Sequence, residues 1–367
     1  MVDIINDFVA NGAECSLITG KVESNFVPLD HRVKITLLQH YDRRSLFKRL
    51  CSWLSFCHSV FWRILFARKT RLLFFITPPP MAPFIGLLSR LFFKQSYVIL
   101  LYDLYPDALV NFAYLSDQSW ISRFWATLNR PLFNRASLVY TLSESMAERT
   151  RYYAPDAKIL IIPNWADTEK MRPIPKTENP FAKQHQQEDK LSILYSGNMG
   201  LTHDLESLVE AASLLKDEER VHFILIGEGG KKEKICDRIN ALKLRNVTVL
   251  PFQDPATIPY SIGTGDIAVV TLGEGGESVS VPSKIYYYMA SGAAILSIAP
   301  EKSELEVLHQ RYNFGKRVNP GHPEAIASFI REMLNHPEQL QAYKARSRKA
   351  SEAFTPENAK RYWKGLF

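Results

Sequence analysis

Apolar positions along the chain recur in two ways. Unbroken apolar runs at Leu72 to Thr77, Tyr97 to Tyr102, Ser137 to Thr141, Ile159 to Ile162, Leu191 to Tyr195, Val221 to Ile226, Val247 to Leu250 and Ile267 to Thr271 predict strands buried on both faces. Between them, apolar residues at helical spacing predict helices at Val2 to Ala10, Ala82 to Phe93, Trp120 to Asn134, Ser143 to Tyr153, Ala325 to Leu334 and Pro337 to Ser351. Cys15 to Thr19 and Val33 to Leu38 read as weaker strands, and Thr355-Pro356 starts a last helix to Phe367. Strands alternating with helices at this spacing require an α/β fold with parallel sheets covered on both sides.

The chain opens on a helix, whereas a doubly wound half opens on a strand that sits in the middle of its sheet. Losing that strand strips both neighbours of backbone partners, a heavier defect than losing an edge. Residues are therefore expected upstream of Met1, lost through a truncated gene or a misplaced start; a reorganised sheet is the alternative. Pro173, Pro175 and Pro180 in a polar stretch predict a linker. The expected organisation is an N-terminal domain at 1–172, a linker at 173–189, a second domain at 190–350, and a terminal helix at 351–367 packing back toward the first domain.

Composition narrows this picture. Four cysteines without a CxxC pair argue against a zinc site or a disulfide framework and for a reducing, cytoplasmic setting. The net charge of +7 is unevenly placed: 12 basic residues and one acid, Asp42, lie between Arg32 and Lys94. The same stretch carries Trp53, Phe56, Phe61, Trp62, Phe66, Phe74, Phe75, Phe92 and Phe93. Cations interleaved with aromatics on amphipathic helices suit an anionic membrane surface, met through residues 43–94, and argue against nucleic acid. Leu46 to Phe66 is long enough to span a bilayer, but Lys48, Arg49, His58 and Arg63 interrupt it, so it is expected to lie on the membrane. A helix packed on the sheet with its basic side in water is the other reading.

Candidate chemistry lies at strand ends in the second half, where ligands of parallel sheets bind. Three turns stand out: Gly197 to Gly200, Gly227 to Lys232, and Pro282-Ser283-Lys284 at a helix start. Glycines let backbone approach an anion, helix starts supply amide donors, and Lys231, Lys232 and Lys284 add charge. One such turn is ordinary turn chemistry; three in one sheet point to a bound diphosphate.

The ordered set YSGNMG, ILIGEGGKK, VTVLPF and VPSKIYYYMASGAAIL, with DLYPD and IIPNWAD in the first half, resembles the family 4 glycosyltransferases of the GT-B fold. The nearest branch is the bacterial one that transfers deoxy or amino sugars in surface-polysaccharide assembly. The resemblance covers nearly the whole chain. It implies two Rossmann-like doubly wound domains facing a central cleft, with acceptor in the N-terminal domain and nucleotide-sugar in the C-terminal one. It also implies retention of anomeric configuration without a metal or other cofactor, in line with the lack of an Asp-x-Asp here.

Position by position, it places Gly197, Asn198, Met199 and Gly200 at the donor phosphates, and His203 and Asp204 where many relatives have Lys-Gly. His203 would stand in for that lysine or be a plain cap. Gly227, Glu228, Gly229, Lys231 and Lys232 form the second donor turn; Pro251 and Phe252 meet the base, unless Phe252 is core. Ser280, Val281, Pro282, Ser283 and Lys284 hold diphosphate and sugar, with Lys284 acting on the leaving group. The glutamate that holds ribose in relatives aligns with Tyr287, which cannot take two hydroxyls as a carboxylate does; Glu274 or Glu277 is a candidate to compensate. Asp103 falls beside the reacting sugar, as electrostatic stabiliser or proton acceptor, or else caps the turn at Tyr105-Pro106.

The expected function is transfer of a sugar from a nucleotide, UDP before GDP, to a glycan or polyprenyl-diphosphate-linked acceptor at the inner membrane face. A sugar-nucleotide epimerase of the same fold and an inactive, truncated, membrane-associated homologue are the alternatives.

Overall fold

The computed structural model describes residues 1–22, 27–38, 46–66, 72–111, 114–200 and 203–366, without the side chains of residues 46, 47 and 49. Residues 43–45 and 67–71 of the expected membrane stretch therefore lie outside the described residues. The chain divides into two compact units, Met1–Pro163 with Pro356–Phe367, and Asn164–Thr355.

Unit 1 runs α1 (Val2–Ala10), β1 (Ser16–Thr19), β2 (Lys34–Leu37), α2 (Leu46–Phe66), β3 (Leu72–Thr77), α3 (Ala82–Phe93) and β4 (Ser96–Leu101). It continues through α4 (Asp107–Asn111), α5 (Trp120–Asn134), β5 (Leu138–Thr141), α6 (Glu144–Tyr153) and β6 (Ile159–Ile161). Its strands form two separate parallel sheets, the pair β1-β2 and the four-stranded β3-β4-β5-β6; no described strand joins β1 to β3. The apolar runs are buried as expected of parallel strands: Tyr97 to Leu100 are essentially inaccessible. Helix starts follow local chemistry, since Ser119 and Ser143 accept bonds from the amides of Ser122 and Met146 and so satisfy donors that a helix leaves open. The chain end returns to this unit as a 3₁₀ turn at Pro356–Ala359 and a short helix, Lys360–Lys364, in place of one continuous helix from Pro356. The Tyr140 hydroxyl donates to the carbonyl of Tyr362 at 2.6 Å, and Phe8 meets Trp363 edge-on at 5.4 Å.

Unit 2 runs α7 (Pro180–Gln184), β7 (Leu191–Ser196), α8 (Glu206–Leu214), β8 (Val221–Ile226), α9 (Lys232–Ala241), β9 (Val247–Leu250) and α10 (Ile258–Gly263). Then come β10 (Ile267–Thr271), α11 (Lys284–Ser291), β11 (Ala294–Ile298), α12 (Glu304–Tyr312), β12 (Gly315–Val318), α13 (Pro323–Asn335) and α14 (Pro337–Ser351). Its single parallel sheet has the order β12-β11-β10-β7-β8-β9, a doubly wound arrangement whose switch point lies between β7 and β10. Both strands there are mostly apolar, and β10 and β11 are buried at every position.

The stretch 173–189 is not a free linker. Lys176 pairs with Asp266, which also accepts from the Ser192 amide at 3.0 Å and the Lys344 ammonium at 2.9 Å. Asn179 is fully buried, caps α7, and donates to Tyr260 and Thr264. Arg348 on α14 donates to the carbonyls of Thr168, Met171 and Ala290. The prolines read as linker punctuation are thus part of a packed strap, because Lys176 and Asn179 beside them find partners within unit 2. The boundary accordingly falls after Pro163 and not at residue 172.

Candidate functional site

At the switch point of unit 2 the strand end Ser196-Gly197 and the start of α11 come together. Gly197 has φ of +150°, and a Cβ there would stand 2.6 Å from the Lys284 ammonium, so the glycine leaves room for that side chain. Lys284 Nζ is buried without a hydrogen-bond partner. It lies 3.9 Å from the centre of the Tyr195 ring, and burial pushes its pKa down to about 7. The Tyr195 hydroxyl donates to the carbonyl of Asn198 at 2.6 Å. That of Tyr288 accepts from the Ser196 amide at 2.8 Å and donates to the Ser196 carbonyl at 2.9 Å. Two tyrosines therefore hold residues 196–198 in place beside the lysine. Neither was among the residues singled out from sequence; the only signal was Tyr195 at a strand end and the triple tyrosine, and helical phase decides that Tyr288 points inward while Tyr287 is half-buried.

The two glycine turns interlock. Met199 donates to the Glu228 carbonyl at 2.8 Å, Lys231 donates to the Met199 carbonyl at 2.9 Å, and Gly197 donates to Ile226 at 2.9 Å. A Cβ on Gly227 would stand 1.9 Å from the Gly197 oxygen, and one on Gly229 would stand 2.5 Å from the Met199 carbonyl. These glycines serve the close crossing of two backbone segments. The amides of Gly197, Gly227, Met199, Lys231 and Lys232 are spent inside the protein and cannot face an anion. At α11, Ile285 and Tyr286 likewise donate to Pro282 and Ser283, so the anion-facing donors there reduce to the amides of Ser283 and Lys284. Val281 is buried, whereas Ser280 and Pro282 are half-buried and Ser283 is exposed.

The three expected cations differ. Lys231 donates to the His203 carbonyl at 2.7 Å and to Glu206 at 2.9 Å, and Lys232 pairs with Glu228 at 2.6 Å. Lys284 alone of the three has neither a carboxylate nor a hydrogen-bond partner. His203 Nδ1 lies 2.8 Å from Thr271 Oγ1 and 3.1 Å from its carbonyl. Burial, and then the neighbouring Lys284, push its pKa down to about 4. A neutral ring whose Nδ1 donates to a carbonyl has Nε2 as an acceptor. In the empty site His203 is therefore a neutral ring and not a second cation beside Lys284. Asp204 is also corrected: it accepts from the amide and hydroxyl of Ser207 at 3.0 and 2.6 Å and from the Gly321 amide at 2.9 Å. Its carboxylate thus ties the first turn of α8, at Ser207, to Gly321, and its bonds are made inside unit 2. Pro251 is exposed, and Phe252 is 56 % exposed, which rules out a core role. Glu274 is exposed on the loop before α11.

In unit 1, Asp103 follows β4. Its backbone is fixed by Thr77, whose hydroxyl donates to the Asp103 carbonyl at 3.1 Å and accepts from its amide at 3.3 Å. The first turn of α4 closes from Ala108 to the carbonyl of Leu104 at 2.8 Å. The Asp103 carboxyl lines a recess with Pro80, Tyr105, Trp125 and Asn129, where Tyr105 stacks on Trp125 at 6.0 Å. Burial raises its pKa to about 6. Among the described residues, no three His, Cys, Asp or Glu side chains gather to hold a metal ion.

Two family models match the chain: glycosyl transferases group 1 over residues 176–350, and glycosyl transferase 4-like domain over residues 3–165. The probable glycosyltransferase WbjE of Pseudomonas aeruginosa is 27% identical over 65% of this chain and 59% of its own length. The putative colanic acid biosynthesis glycosyl transferase WcaI of Escherichia coli K12 is 25% identical over 79% of this chain and 73% of its own. The crystal structure of HepE from Anabaena with UDP-glucose superposes with a TM-score of 0.72 at 15% identity, over 91% of this chain and 86% of that one. That likeness is one of fold: two α/β units built on parallel sheets, the GT-B type.

Proposed function

The chain belongs to the glycosyl transferases group 1, preceded by a 4-like domain, and from that premise we propose that it transfers a sugar from a nucleotide-sugar to a glycan acceptor. The donor is a UDP-sugar, and its diphosphate takes the place beside Lys284. The observation that carries this reading is the buried ammonium of Lys284, unpartnered at the switch point of a doubly wound sheet and next to the amides of Ser283 and Lys284. An uncompensated buried cation lowers stability, and a bound diphosphate would supply the missing partner. The separate match of HepE, solved with UDP-glucose, agrees with that choice of nucleotide.

Catalysis is then positioning and electrostatics. The amides and Lys284 neutralise the leaving diphosphate. Neutral His203 presents Nε2 as an acceptor toward the sugar hydroxyls, and Phe252 and Pro251 border the base. Asp103, half-buried and with a raised pKa, receives the acceptor's proton. Transfer retains anomeric configuration and uses no resident metal. The acceptor is a saccharide on polyprenyl diphosphate, met at the cytoplasmic membrane face.

The experiment is incubation of the folded chain with a panel of UDP- and GDP-sugars and polyprenyl-diphosphate-linked acceptors, with products read by mass spectrometry and anomeric configuration by NMR. Donor-dependent mass gain on the acceptor is expected. An epimer formed from donor alone would replace transfer by epimerisation, and a flat UDP titration on folded protein would sink the donor site altogether.

A further inference from the structure

The strongest surface feature outside the donor site is a helical face of unit 1. Strands β3, β4 and β5 lie side by side in that order, so right-handed crossovers place α3 and α5 on one side of the sheet. Helix α3 packs against α5 and also against α2, which makes the three a continuous layer. None of the three contains an Asp or Glu. Their outer positions carry exposed Trp62, Phe66, Phe92, Phe93, Trp120 and Phe124, from 45 to 77 % accessible. Exposed Lys48, Arg63, Arg90, Arg123 and Arg130 lie among them. The nearest acid to α5 in the chain is Asp117, in the preceding turn.

From this geometry we infer that the α2–α3–α5 layer is a docking face for an anionic lipid bilayer, with Trp120 and Phe124 of α5 as insertion side chains. It deepens the membrane placement proposed above and rests on it, adding a third helix that the charge run at residues 43–94 does not contain. Bulky aromatic tips next to cations match the boundary between headgroups and acyl chains, where rings are buried and cations meet phosphates. A nucleic-acid duplex, met through its phosphates, would leave those rings in water. A protein partner held by an apolar patch would not require the absence of every carboxylate from three helices. No helix among the described residues is long and apolar enough to cross a membrane, so the contact is a surface one.

The test is cosedimentation of the full chain with vesicles of phosphatidylcholine, with and without phosphatidylglycerol. Wild type should partition onto the mixed vesicles and be released by salt. Trp120→Ser with Phe124→Ser should lower that partition at least about tenfold, and Arg123→Glu about fivefold or more. Circular dichroism and UDP titration without vesicles, both unchanged, show that these variants remain folded with the donor site intact. Loss of UDP binding in wild type would sink the transfer reading and leave the lipid face standing. Wild-type partition of the double α5 variant, equal binding to neutral vesicles, or a solution dimer that the α5 substitutions dissociate would each overturn the inference.

Discussion

Lys284 ought to couple donor binding to proton uptake. Its ammonium is buried, has no partner and titrates near 7, so in the empty site at pH 8 about nine-tenths of the amine is neutral. A diphosphate favours the charged form and raises that pKa. Binding at pH 8 should therefore take up about 0.9 proton, and affinity for UDP should fall about tenfold, or about 1.4 kcal/mol, per pH unit above 7. The terminal phosphate of UDP is already ionised in that range, its last proton leaving near pH 6, so the slope belongs to the protein.

Titration calorimetry in buffers of different ionisation enthalpy reads the proton count directly. Lys284→Met keeps an unbranched side chain, one atom shorter, and removes the charge. It should bind UDP about 10- to 100-fold more weakly at pH 7, for the loss of about 1.5–3 kcal/mol of charged hydrogen bonding, with no proton uptake. The stability effect has the opposite sign. Because the folded chain holds this pKa below its ordinary value of 10.5, the lysine destabilises most below pH 7, where it is charged in both states. That penalty fades as pH rises from about 7 toward 10.5, where it is neutral in both. Lys284→Met should accordingly raise Tm more at pH 6 than at pH 10. Wild-type UDP binding without proton uptake at pH 8, or wild-type affinity in Lys284→Met, would refute the placement of the phosphate beside this residue.

Two further outcomes concern Asp103 and Asp204. Asp103 should act as a base only when ionised, so kcat/KM should fall as pH drops through about 6. Asp103→Asn should remove that acid limb and slow transfer about 100-fold or more, with UDP affinity unchanged. Asp204→Ala loses the bonds to Ser207 in the first turn of α8 and to Gly321, and should destabilise by about 1–2 kcal/mol in thermal or urea unfolding with UDP affinity within about twofold of wild type; a tenfold weaker Kd would place Asp204 in the donor site.

The alternation of apolar runs and helical periods was enough to determine two parallel-sheet units and to locate most of their elements, because burial on both faces leaves a signal in every residue of a strand. It was also enough to single out Lys284 and the glycine turns, since only glycine tolerates the backbone there. What the glycines are for was not legible. Gly227 and Gly229 serve a backbone crossing between segments about 30 residues apart, and no local pattern reports which carbonyl a missing Cβ avoids. Prolines at 173–180 read as a linker because punctuation is local, while the partners that turn the segment into a strap, Asp266 and Tyr260, come from distant strands and helices. The same holds for charge. Lys231, Lys232 and Lys284 are equivalent as letters, and only the fold gives two of them carboxylate partners and leaves the third alone. Composition decides what a side chain can do; tertiary contacts decide whether its hydrogen bonds and charge are already used, and so which residues remain free to meet a ligand.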